Sequence, residues 1–188
     1  MASKTPTQAV HNYLEPLQKA VSCVTDAVIT VSGGYYVSDQ PHSLTFGDGL
    51  PQKLPGSNIH LSVTQRYRVV EDEDPDKGPW RVTLAQYSYA LRRGSGAVGK
   101  PERMLTYQWH PRPDARFNYP HVHLGPASGA HEYLRNTHVP TGRVALEDVI
   151  RYAISQLGVR ALRGDWMDVL VATQGRFESY QSWSGSGP

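Results

Sequence analysis

A chain of 188 residues, 39% hydrophobic and 19% charged, is long enough to bury its own core and suits a soluble globular protein with sizeable loops. No stretch approaches the run of about 20 apolar residues that spans a bilayer. The N-terminus lacks the apolar run of a secretory signal, and the single Cys23 excludes an internal disulfide or a thiolate metal site, so a cytoplasmic protein with no membrane partner is expected.

The net charge of +2 divides unevenly: residues 1–78 carry −3 and residues 79–188 carry +5. Of the 13 cations in the later part, 12 are arginines. The planar guanidinium pairs bidentately with phosphate or carboxylate, which points to an anionic ligand.

In chain order, Thr7 is a fair N-cap for an amphipathic helix through Val21, with Val10, Leu14, Leu17 and Val21 near helical spacing and Pro16 expected to kink or shorten it. Val28–Val31 and Tyr35–Val37 read as β-structure around a Gly33-Gly34 turn. Residues 38–57 read as loop with one short strand at Leu44–Phe46. Asn58 to Val70 alternates: Ile59, Leu61, Val63, Tyr67 and Val69 share one face, and His60, Ser62, Thr64, Arg66 and Arg68 the other. The acidic run 71–79 makes a hairpin, Trp80–Leu91 returns, and Glu102–His110 is the next strand.

A proline-stiffened loop then leads to His121-Val122-His123-Leu124, a fourth strand whose two-residue period puts both imidazoles on one face. Residues 125–143 read as loop. Leu146, Val149, Ile150, Ala153, Ile154 and Leu157 give a helix ending at Gly158, with Glu147 and Asp148 in its first turn. Asp165 can cap a last helix from Trp166 to Gln174, stopped by Gly175. The expected fold is α+β: an antiparallel meander of about four to six strands with N-terminal and C-terminal helices packed on one face. Residues 1–175 are read as one domain and 176–188 as a flexible tail.

Trp109-His110-Pro111, then Pro120-His121-Val122-His123, then a helix whose first turn holds Glu147-Asp148, together resemble the TumE-like family of small bacterial proteins over about residues 80–157. The resemblance implies a toxin encoded beside an antitoxin, with that antitoxin or a phage-defence protein as partner. The family's denser histidine run is here His-Val-His, and Ala145 stands where a capping serine is expected.

Three chemistries suit the histidine-rich segment. The first is a metal-independent ribonuclease without cofactor, in which His110, His121 and His123 move protons and Arg112 or Arg116 neutralises the phosphorane. Tyr107, Trp109, Tyr119 and Arg143 would bind the RNA substrate. The second is a metal site for Zn²⁺ or Fe²⁺ formed from His110, His121, His123 and His138, with Asp114 as a carboxylate donor. The third is a non-catalytic binding or assembly module using Tyr35, Tyr36, Tyr87, Tyr89, Trp80 and Trp183. His131 and His138 are the histidines most expected to do no more than bond loop backbone.

Overall fold

The structure, a computed structural model, describes residues 3–32, 40–72, 78–94, 100–111, 117–135 and 137–183. Helix α1 spans Pro6–Val21. Thr5 caps it in place of the expected Thr7: its hydroxyl accepts the Gln8 N–H at 3.1 Å, and Pro6 occupies the first turn, where its missing N–H is not needed. Pro16 is buried within the helix and does not end it. Val10, Tyr13, Leu17, Ala20 and Val21 form its buried stripe.

Among the described residues eight strands precede the last two helices: β1 (Ile29–Val31), β2 (His42–Phe46), β3 (Gln52–Lys53), β4 (Ile59–Glu71), β5 (Trp80–Arg93), β6 (Glu102–Trp109), β7 (His121–Leu124) and β8 (Val139–Pro140). A ninth, β9 (Gln181–Trp183), completes the sheet. The order is β1-β2-β4-β5-β6-β7-β8, with β3 beside β4 and β9 beside β5. All pairings are antiparallel except β5–β9. The run β4 to β7 is the expected meander, so the α+β class stands. The sheet is larger than four to six strands because short segments at 29–31, 52–53, 139–140 and 181–183 join it. The expected strand at Tyr35–Val37 and the Gly33-Gly34 turn lie outside the described residues.

Burial along β4 alternates strictly from Ile59 to Val69, as the side-chain pattern predicts, with Gln65 on the inner face beside Val63 and Tyr67. The ladder to β5 shifts between Arg66 and Tyr67, so Ala85 has no partner of its own. That bulge lets Val82 and Leu84 and then Tyr87, Tyr89 and Leu91 all turn inward although their spacing changes phase.

Helices α3 (Leu146–Gln156) and α4 (Trp166–Tyr180) pack with α1, which itself lies on β4 and β5. The Asp148 carboxylate accepts the Ala145 N–H at 3.3 Å, supplying the α3 start with a cap that Ala145 has no side chain to give. Gly158, at φ +70°, takes the left-handed turn after α3. The expected stop at Gly175 does not occur: α4 continues to Tyr180 and the chain then enters β9. Only residues 184–188 of the expected tail fall outside the described residues. Residues 125–143, expected as loop, include a 3-10 turn at Pro126–Ser128, a short helix α2 (Glu132–Arg135) and β8. No helix among the described residues is long and apolar enough to cross a membrane.

The core between sheet and helices carries polar groups. Tyr13 Oη donates to Gln65 Oε1, and Gln65 Nε2 donates to Tyr89 Oη at 2.6 Å, so Gln65 bridges α1 to the middle of the sheet. Tyr87 Oη accepts the Val144 N–H at 3.2 Å and ties the approach of α3 to β5. Glu147, in the first turn of α3, is fully buried, and its two carboxyl oxygens make no hydrogen bond.

One glycine sets the edge of the site. Gly125 donates its N–H to Met104 O at 2.8 Å as the chain leaves β7, and a Cβ there would overlap the Arg103 carbonyl. Gly125→Ala is expected to cost about 1–3 kcal/mol, the range for forcing an atom into packed structure. A urea midpoint unchanged from wild type would show that this approach is looser than described.

Candidate metal centre

Strand β7 lies between β6 and β8, and the ladders fix which side chains meet. His121 stands opposite Gln108 on β6 and Pro140 on β8, and His123 stands opposite Thr106. Val122 pairs with Val139, so the antiparallel count sets His138 abreast of His123. Alternation then points His121, His123 and His138 to one face, away from the face that carries Tyr87, Tyr89 and the helices.

The three rings converge. Centroids are 4.9 Å apart for His121 and His123, 4.7 Å for His121 and His138, and 4.4 Å for His123 and His138. One ring nitrogen from each lies within 4.8 Å of the other two. Three nitrogens about 2.0–2.1 Å from a tetrahedral zinc are about 3.3 Å apart, so small ring rotations close the set.

The surroundings orient these rings. His121 Nδ1 is 2.9 Å from the Tyr119 carbonyl, which can only accept, so Nδ1 donates there and Nε2 is the nitrogen left to face a metal. Phe117 stacks on His138 at 4.4 Å, and Tyr119 meets His121 edge-on at 6.1 Å. Trp109 Nε1 donates to Asn118 O at 3.2 Å and anchors this aromatic wall to the end of β6. Thr106, opposite His123, is buried and its hydroxyl makes no hydrogen bond.

Burial, with His138 and His121 alongside and Arg103 and His110 adding charge, holds His123 down at about 4. Burial and His121 also lower His138. Both are therefore neutral at pH 7, the state in which imidazole binds a metal.

The other sequence candidates fall in three places. His110 follows β6 and is near enough for its charge to act on His123, but it is not among the three converging rings. Arg112, Asp114 and Arg116 lie outside the described residues. Tyr107, Trp109 and Arg143 do not join the imidazoles. The Arg143 guanidinium sits 5.2 Å over the Trp109 ring, and Tyr107, Arg143 and Asp148 line a separate cleft of about 270 Å³ before α3. Tyr119 is at the cluster, as backbone acceptor and ring contact, and His131 packs on Tyr133 at 5.3 Å. His138, expected either as a bystander or as a member of a metal site, is the third of the converging rings.

Sequence reasoning missed Thr106 and Arg103. Thr106 was readable as the partner of His123 only with the β6–β7 register in hand. Arg103 is turned by a second ladder shift, between Leu91 and Arg92, which no spacing reveals. No protein-family model, curated protein or solved structure matches the chain.

Proposed function

We propose that the protein is a hydrolytic metalloenzyme in which His121, His123 and His138 hold one divalent ion, zinc fitting best. The convergence of three imidazoles, one already committed by its Nδ1–H to a backbone carbonyl, carries this reading. A backbone hydrogen bond on the far ring nitrogen is the usual means by which a ligating histidine is oriented. Three imidazole nitrogens with a remaining open position describe a catalytic zinc site, which would supply a Lewis acid and a water activated near neutral pH.

The chain's own residues do the rest. His121 is held in one tautomer by Tyr119, Phe117 and Tyr119 restrict water on one side, and the unpartnered Thr106 hydroxyl is available to a water or substrate oxygen beside His123. A metal-free ribonuclease needs an imidazolium and a neutral imidazole together, and a His123 held at about 4 is a poor proton donor at neutral pH.

Untagged protein purified without chelator should carry about one equivalent of zinc by elemental analysis, as a stoichiometric site requires. Removal of the ion should lower the melting temperature, because an ion that binds only the folded state stabilises it. Metal-free protein whose melting temperature responds to neither zinc nor EDTA would overturn the proposal.

A further inference from the structure

Beside the imidazoles, the same face of the sheet carries a row of basic side chains on four adjacent strands. Lys53 on β3 pairs with His60 on β4, His60 with Arg92 on β5, and Arg92 with Arg103 on β6. The ladder shift at Leu91/Arg92 skips Met104 and brings Arg103 directly opposite Arg92. Like charges directly opposite one another destabilise a sheet. Among the described residues no carboxylate forms an ion pair with any of the four.

Two atoms of the row lack what burial demands. His60 Nδ1 and Arg92 Nε are both buried and make no hydrogen bond, which is costly unless a ligand satisfies them. Lys53 and Arg103, at the two ends, are exposed. Lys53 and the turn Leu54–Asn58 line an open cleft of about 530 Å³ at one end. At the other, Arg103 precedes Thr106, the residue facing His123, by three positions on β6.

We infer that this row binds the phosphates of a polyphosphorylated ligand and leads one phosphoester to the His121–His123–His138 centre. Three strand spacings of about 4.8 Å give the row a length of about 14 Å, more than one phosphate spans and suited to several in line. Arginine supplies the bidentate geometry that phosphate oxygens accept. The inference rests on the metal centre for the reaction but not for the binding, which the row performs alone. Free polyphosphate and the backbone of single-stranded RNA share this chemistry.

The test titrates EDTA-treated protein with inorganic tripolyphosphate by calorimetry, and with a fluorescent oligouridine 12-mer by anisotropy at several salt concentrations. Binding of either probe without metal is expected. The Arg92→Gln/Arg103→Gln double variant should weaken it at least tenfold and reduce the salt slope for the RNA by about 1.4, two lost phosphate contacts at about 0.7 each. Arg176→Gln, which removes one positive charge on α4, should change affinity less than twofold. Oligouridine binding displaced by tripolyphosphate identifies the RNA backbone as the source, and tripolyphosphate binding alone identifies a free polyphosphate or nucleotide. Failure of both probes at low salt, or equal effects of the double variant and Arg176→Gln, overturns the inference. Metal content is read separately, so polyphosphate binding by a protein that takes no zinc would remove the metal centre and leave the row.

Discussion

Replacing Glu147 by glutamine is expected to raise stability by about 3 kcal/mol at pH 8 and by about 1 kcal/mol or less at pH 5. The carboxyl is fully buried and neither oxygen is hydrogen-bonded, so burial pushes it up to about 7 from an ordinary value of 4.5. Its position in the first turn of α3 acts the other way, since the helix dipole favours a negative charge there. That effect is worth at most about 2 kcal/mol even when partly buried. Desolvation wins. Asp148 raises the carboxyl further, and the Glu147 backbone N–H, the Thr173 hydroxyl and the Arg151 charge, none placed to complete a well-formed hydrogen bond to it, offset only part of this.

A group whose folded value is raised binds its proton more tightly in the folded state. Its contribution is therefore complete below about 4.5 and is lost as pH rises through about 7. The difference between 4.5 and about 7, at about 1.4 kcal/mol per tenfold change in proton affinity, gives the stated magnitude. Urea denaturation at pH 5, 6.5 and 8 measures it. Glu147→Leu, which has no polar atom to satisfy, should show the same pH-dependent gain over wild type. His123, held at about 4, contributes stability that grows as pH rises through much of the same range, so the difference between variant and wild type is read at each pH rather than the wild-type slope. A gain no larger at pH 8 than at pH 5 would mean that the carboxyl has found a partner or water.

How much of this was readable beforehand depends on the kind of signal. The alternation of β4 and the pairing of His121 with His123 on one face were readable, because a two-residue period is local. The choice of third imidazole between His110 and His138 was not: His138 precedes a strand of two residues, too short for any periodicity, and acquires its place only through the ladder to β7. Bulges hid the rest. The shift near Ala85 breaks the alternation of β5, and the shift at Leu91 turns Arg103 onto the imidazole face. Gly175 was read as a helix stop because it costs about 1 kcal/mol in a helix interior. Packing of α4 against α1 and α3 outweighs that local preference. Glu147 was assigned to its helix turn for its charge, whereas its side chain lies in the core, and no local pattern marks a carboxyl for burial.

The choice between His110 and His138 gives the most direct measure of the metal centre. His138→Ala is expected to weaken zinc binding by about a hundredfold or more. A structural site worth roughly 12 kcal/mol over four ligands loses about 3 kcal/mol with one of them. His110→Ala, which removes a neighbour whose charge reaches His123 but which is not among the converging rings, should change affinity by about tenfold or less. Competition against a chromogenic chelator reads both variants under one set of conditions. His138 is only half-buried and lies beyond the end of the β7 ladder, so its loss should leave the apo protein folded, and circular dichroism of the metal-free variant checks that. Equal losses for the two variants, or a larger one for His110→Ala, would mean that the ion sits nearer the end of β6 than the three converging rings place it. The proposed route from Arg103 past Thr106 to His123 would then lead to the wrong atom.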